Sequence, residues 1–268
     1  MKKINMMHSV VLLACVLICS SCMNERKLMS VFDSEKITER RAHDGFERIE
    51  ILGSPTVYYA QADSFSVCVK GPKSMVDDII TEVDGHTLKV RNRGKIGIFN
   101  ISVGDDDQTA VYVTSPDLTR VQLNGSGDFI SNGRIDTDRA TFVLRGSGDI
   151  DVEDIICDEC EVELVGAGDF DINRLEAKDV SVSLIGSGDV EVNLCNVENT
   201  SIALKGSGDI ETVFKEGCRH VDCELQGSGD IKLAGAVSRF NQHKVGSGNI
   251  DSSRLIVTPN KVPMQRKK

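Results

Sequence analysis

Gly125, Gly146, Gly166, Gly186, Gly206, Gly227 and Gly246 open seven copies of one short motif, Gly-Ser-Gly-Asp or a near variant, at separations of 21, 20, 20, 20, 21 and 19 residues. A repeat of this period means that one supersecondary unit is written many times, each copy too small to bury its own apolar face. Aligned on that glycine, the position two before it holds Leu123, Leu144, Leu164, Leu184, Leu204 and Leu225. The position directly after the motif holds Phe129, Ile150, Phe170, Val190, Ile210, Ile231 and Ile250. Two further on come Val152, Ile172, Val192 and Leu233, with Thr212 as an exception. Polar residues fill most positions between, so each unit reads as two short strands with one inward face.

Stacked units bury that face because each inward residue lies on its copy ~4.8 Å away in the next coil. Seven coils at that spacing make a rod roughly 34 Å long. The expected fold is all-β: a right-handed parallel β-helix, or β-solenoid, with coils of about 20 residues. Its hand follows the twist preference of parallel crossovers. The chain has no tryptophan and only 4 % aromatic residues, which suits a narrow layered interior of Val, Ile and Leu. The pattern breaks at both ends, where Ser131 and Ser252 take the slot of Val152 and Lys244 takes the leucine slot.

Outside the repeat the chain divides by composition. Residues 1–21 read as a lipoprotein signal peptide: Lys2 and Lys3 precede an apolar run, Val10 to Ile18, that is too short to span a bilayer. "CSSC" follows, and Cys22 is the expected lipidation site, although Cys19 stands where such signals usually carry leucine. Residues 22–43 are charged, without apolar periodicity, and read as a spacer. Residues 44–118 alternate apolar and polar residues without a clean repeat and read as a strand-rich N-terminal cap. They include a hairpin turn at Asp84–Gly85 and one helical turn within 75–83. Residues 119–257 are the solenoid and 258–268 a basic tail. Removing the signal, which holds two lysines and no acid, takes the formal charge from −10 to −12. A head this acidic repels nucleic acid.

The motif itself has two readings. Both glycines are expected at positive φ, with Ser and Asp bonding nearby backbone to hold a corner. The repeat also aligns Asp128, Asp149, Asp169, Asp189, Asp209, Asp230 and Asn249 in one column. Carboxylates ~4.8 Å apart repel by about 1 kcal/mol in water, so backbone N–H groups must offset that, or a calcium ion must. The known calcium solenoids use a nine-residue repeat, so the turn reading is preferred.

Six cysteines follow Cys22: Cys68, Cys157, Cys160, Cys195, Cys218 and Cys223. "CDEC" at Cys157–Cys160 has zinc-ligand spacing, but Cys195 and Cys218 lie roughly 10 and 14 Å further along the rod at the strand spacing. No metal or cofactor is expected. Export permits disulfides, with Cys195–Cys218 and Cys218–Cys223 as candidates. The histidines are scattered and no Ser/His/Asp or Cys/His spacing occurs, so no catalytic residues are assigned. Connecting segments are short, and no tryptophan is present to stack on sugars.

With the lipoprotein-like start, the opening "FERIEILGSPTVYY…FSVCVKG" and the repeated "L-x-G-S-G-D-I" in place, the chain resembles the bacterial family described as putative auto-transporter adhesin, head GIN domain. The resemblance covers Phe46 to Ile250. It implies a parallel β-helix head on an envelope protein of Bacteroides-like bacteria, and it carries no assigned activity. The expected function is non-enzymatic: an exported lipoprotein, anchored in the outer membrane by its N-terminal lipid, with an adhesive or structural head. Its repetitive polar faces would meet a glycan or protein at the cell surface by many weak contacts, and its sheet edges would allow self-association. A polysaccharide-degrading enzyme on a β-helix scaffold and a calcium-dependent binding module are the alternatives.

Overall fold

The computed structural model describes residues 36–94 and 109–259. The signal peptide, Cys22 and most of the basic tail lie outside them.

In the described chain the strands run β1 (Lys36–Arg41), β2 (Arg48–Gly53), β3 (Thr56–Gln61) and β4 (Ser66–Pro72). One helical turn, α1 (Lys73–Val76), leads to β5 (Ile79–Asp84), β6 (Thr87–Asn92) and β7 (Ala110–Ser115). The repeats supply β8 (Arg120–Gly125), β9 (Asp128–Asp136), β10 (Arg139–Gly146), β11 (Asp149–Ile156), β12 (Glu159–Gly166) and β13 (Asp169–Glu176). They continue through β14 (Asp179–Gly186), β15 (Asp189–Cys195), β16 (Val197–Gly206), β17 (Asp209–Gly227), β18 (Asp230–Gly246) and β19 (Asn249–Val257).

Every repeat strand pairs in parallel with its copy one coil away, so that Leu144 faces Leu164, Leu164 faces Leu184 and Leu184 faces Leu204. One sheet holds β8, β10, β12, β14, β16 and the second halves of β17 and β18. The other holds β9, β11, β13, β15, the first halves of β17 and β18, and β19. The leucine column Leu123 to Leu225 is at most 1 % exposed, and so are Ile150, Phe170, Ile172 and Val192 on the facing sheet. The core is therefore a set of aliphatic columns between two sheets. Phe129, Phe142 and Phe170 add a short aromatic run with centroids 6.5 and 5.9 Å apart.

The N-terminal region holds a coil that the pattern did not reveal. β2 pairs in parallel with β8, placing Gly53 beside Gly125, and β3 pairs in parallel with β9. "GSPT", Gly53 to Thr56, is thus a degenerate corner in register with the repeat, hidden by its proline and threonine. β6 and β7 form the next coil outward, in parallel with β2 and β3. The chain enters one coil inside the stack, steps outward, then returns to begin the repeats. Ser131 is consequently interior, 1 % exposed, with Tyr59 in register above it. Reading it as the end of the stack is corrected: the column continues through Tyr59 to Val113.

Antiparallel strands close this end. β5 pairs with β6 through the expected Asp84–Gly85 turn, β4 pairs with β7, and β1 pairs with β4. Lys36–Arg41, assigned to the spacer for its charge, is therefore a strand. Its alternation was masked because an edge strand with one solvated face tolerates charge at most positions. The helical turn lies slightly earlier than expected, at Lys73–Val76.

The two motif glycines differ. The first of each pair has positive φ, from +119° at Gly246 to +149° at Gly125. The second does not, contrary to expectation, and is needed for another reason. A Cβ on Gly168 would stand 1.9 Å from the carbonyl oxygen of Gly148 in the coil below. Close backbone approach, not handedness, selects glycine there.

Candidate functional site: a carboxylate-lined sheet face

The outward positions of β11, β13, β15 and β17 are set by the strand period of two, and the repeat makes them nearly identical from coil to coil. One lane is the expected aspartate column. Asp149 lies in register with Asp128, Asp189 with Asp169 and Asp209, and Asn249 with Asp230. Four of the carboxylates take a hydrogen bond from the next coil: the N–H groups of Asp169, Asp209, Asp230 and Asn249 donate to Oδ1 of Asp149, Asp189, Asp209 and Asp230 at 3.0–3.1 Å. Thr56 Oγ1 donates to Asp128 Oδ2 at 2.8 Å. Backbone donors therefore meet one oxygen of four of these carboxylates, and the second oxygen of Asp209 takes Lys232 Nζ.

A second lane runs alongside it, and motif reading alone did not single it out. Asp151, Asp171, Glu191 and Glu211 stand in register, one per coil. The signal was present in the polar residue after each Phe, Ile or Val of the motif, but it registers as a lane only once the coils are stacked. Among the described residues, Asp149, Asp151, Asp169, Asp171, Asp189 and Glu191 form no ion pair with a lysine or arginine. Cations appear only where the lanes end, at Lys232 on Asp209 (3.5 Å) and Arg254 on Glu211 (3.2 Å).

Burial and like charge act together at the centre of the second lane. Partial burial, then Glu191, Asp151, Asp169 and Asp149, push the Asp171 carboxyl above the ordinary carboxylate range. A raised folded-state pKa favours the folded chain below the unfolded value, and that contribution is lost as pH rises through the folded value. Asp171→Asn should raise the melting temperature at neutral pH by about 1–3 °C. It should also narrow the difference between mildly acidic and neutral midpoints. An unchanged neutral midpoint would mean that solvent already screens the lane.

The second lane passes into an aromatic pair. Ile130 lies in register with Asp151 and Tyr58, and Tyr58 stacks on Tyr112 with centroids 5.3 Å apart; Tyr112 is 43 % exposed. Beside the lanes, at the bulge in each coil, runs a groove of about 460 Å³ lined by Arg134, Asp154, Arg174, Cys195 and Glu216 among others. Several of its charges are paired with one another. Arg134 and Arg174 hold Asp154 at 2.7 and 2.8 Å, Arg174 also pairs with Glu176, and Asn196 donates to Glu216 at 2.8 Å. Burial opposes ionisation of Asp154, but the hydrogen bonds from Arg174 and Arg134 outweigh it and hold the carboxyl below its usual range.

The opposite sheet shows a mixed face of acids, amides and hydroxyls, with Asn199 on Asp179 (2.7 Å) and Asn241 on Asp222 (2.8 Å). His220 Nε2 meets Asp222 Oδ2 at 2.8 Å. Ser201 faces Asp222 in the register and Asn199 faces His220, and among the described residues no hydrogen bond joins Ser201 to His220.

The six described cysteines are free thiols, and the candidate pairs Cys195–Cys218 and Cys218–Cys223 are not joined. Cys157 and Cys160 are buried at one corner, and their mutual hydrogen bond and burial push the Cys160 thiol well up. Burial alone raises Cys223 to about 12. Such thiols are poor nucleophiles and ligands at neutral pH. Among the described residues no three His, Cys, Asp or Glu side chains cluster as a metal site.

The family described as putative auto-transporter adhesin, head GIN domain, matches residues 45–217. No curated protein matches the chain. Among solved structures, a putative adhesin from Bacteroides fragilis aligns with TM-score 0.71 at 23 % identity, covering 81 % of this chain and 96 % of its own. A putative lipid binding protein from Parabacteroides distasonis aligns with TM-score 0.63 at 22 % identity, covering 82 % and 97 %. A putative adhesin from the same species aligns with TM-score 0.56 at 19 % identity, covering 82 % and 97 %. At these identities the likeness is one of fold.

Proposed function

The chain belongs to the putative auto-transporter adhesin, head GIN domain family, and from that premise we propose that it is a non-enzymatic adhesive protein of the cell envelope. In this reading Cys22 carries the lipid, residues 23–35 tether the head to the outer membrane, and the head binds by repetition rather than by one pocket. The carrying observation is the double lane of carboxylates, in which Asp149, Asp151, Asp169, Asp171, Asp189 and Glu191 form no ion pair with a lysine or arginine among the described residues. A flat array of like charge at ~4.8 Å spacing suits a cationic surface, protein or amino-sugar glycan, to which many weak contacts add. The Tyr58–Tyr112 pair, with Tyr112 exposed, supplies an apolar patch at one end of the lane. The same charge disfavours nucleic acid as a partner.

The test uses the full chain and an immobilised lysine-rich peptide as the cationic probe. Binding should weaken with ionic strength. It should also fall stepwise as Asp151→Asn, Asp171→Asn, Glu191→Gln and Glu211→Gln are combined, by about tenfold or more for the set. Loss of all binding at one position would indicate a discrete site, and indifference to all four would remove the proposal. Melting with calcium and with chelator separates the calcium-dependent reading, which requires the two midpoints to differ.

A further inference from the structure

The two ends of the rod are built differently. At the N-terminal end the outermost strands are antiparallel, and they carry charge: Lys36, Glu39, Arg40 and Arg41 on β1, Glu82 and Asp84 on β5. Charged edges of this kind resist pairing with another chain. At the C-terminal end β19 pairs only with β18 among the described residues. Ile256 and Val257 on it are 64 % and 48 % exposed, and Val245, at the end of the other sheet in the same last coil, is 51 % exposed. Ile250 and Leu255, the last rungs of two core columns, are only partly buried.

Residues 250–255 of β19 are self-complementary about their centre. Around that centre, Ser252 and Ser253, stand Asp251 and Arg254, then Ile250 and Leu255. In an ordinary strand such mirror pairs point to opposite faces, because side chains alternate with period two. Here a bulge intervenes. Asp251 lies opposite Lys232 and Arg254 opposite Ala234, so two residues of β19 span one of β18. The extra residue brings Asp251 and Arg254 to the same outer face, and Ile250 and Leu255 to the same inner one. The mirror pairs thereby also share their hydrogen-bonding direction.

We propose that β19 pairs antiparallel with β19 of a second copy about a two-fold axis between Ser252 and Ser253, setting Asp251 against the partner's Arg254 and Ile250 against the partner's Leu255. Each opposite-charge and apolar contact occurs twice, as an isologous interface requires. The pairing adds strands to both copies at an open edge and extends the aliphatic columns from one rod into the next. The last coil, residues 239–257, offers close to the number of residues a side that a standard interface uses, about 20–30. Side-by-side contact would instead oppose the carboxylate lanes of the two copies. Arg254 also pairs with Glu211 at the end of the lane at 3.2 Å, so the dimer and the lane share this one residue.

Sedimentation velocity of the full chain from micromolar to millimolar concentration should show a monomer–dimer equilibrium. Arg254→Asp alone should weaken it about tenfold or more by placing like charges opposite each other twice. Asp251→Arg combined with Arg254→Asp should bring it back to within a few-fold, because opposite charges again meet across the two-fold axis. A monomer at every concentration, a dimer indifferent to Arg254→Asp, or a double variant without recovery each overturns the proposal. Should the single variant fail to fold, amide exchange of the unaltered chain decides. Slowing confined to Asn249–Val257 on concentrating the sample supports the interface. Edge amides that do not slow on concentration overturn it.

Discussion

Gly166→Ala should lower the melting temperature of the head by about 10 °C, a loss of about 3–5 kcal/mol. Two costs act at once. Gly166 has φ +146°, a conformation that L side chains rarely adopt. Its added Cβ would also stand 1.9 Å from the carbonyl oxygen of Gly146, a backbone atom fixed by its own coil. That oxygen accepts the N–H of Ala167 at 2.9 Å, so moving it away breaks the bond that defines the corner. Because the coils stack in one dimension, the damage should centre on the neighbouring turns and appear as faster amide exchange there. Gly133→Ala is the control. Nothing lies within 4 Å of its added Cβ and its φ is not left-handed, so the same chemical change should be neutral or stabilise by up to about 1 kcal/mol. Melting of the two variants checks both signs. A Gly166→Ala midpoint within about 2 °C of the parent would show that the corner has room to relax.

The contrast between those glycines also shows what was legible beforehand. The repeat spacing, the leucine column and the inward Phe, Ile and Val positions could be read directly, because stacking acts on every copy and leaves the same residue each time. The degenerate coil of β2 and β3 could not, since Pro55 and Thr56 replace the second glycine and the aspartate while backbone register keeps the geometry. β1 escaped for a related reason: pairing with β4 supplies its stability, and an edge strand needs little apolar pattern of its own. At the candidate site, the aspartate column followed from the motif. The parallel lane of Asp151, Asp171, Glu191 and Glu211 and the Tyr58–Tyr112 pair depend on which strands become neighbours, a long-range property. The bulge that brings Asp251 and Arg254 to one face is likewise a matter of register.

Leu184→Ala tests the cohesion of the columns themselves. Leu184 is fully buried, with Leu164 and Leu204 in register on either side. Truncation removes about three carbons from contact and leaves a cavity. The hydrogen-bonded coils above and below keep their ~4.8 Å spacing, so the space cannot close by a small shift, and the cost should lie in the upper part of the usual range, about 3–4 kcal/mol. A fall of about 6–12 °C in the midpoint follows for a head of this size. Ile250→Ala at the last rung should cost much less, about 1 kcal/mol, because its partly exposed side chain has a neighbour on one side only. A gradient from the middle of the rod to its open end is therefore expected in the monomer, and it should flatten at concentrations where β19 is covered. If Leu184→Ala and Ile250→Ala cost the same in the monomer, corner hydrogen bonds rather than aliphatic stacking hold the coils together. The outward carboxylates would then owe their fixed spacing to the glycine turns alone.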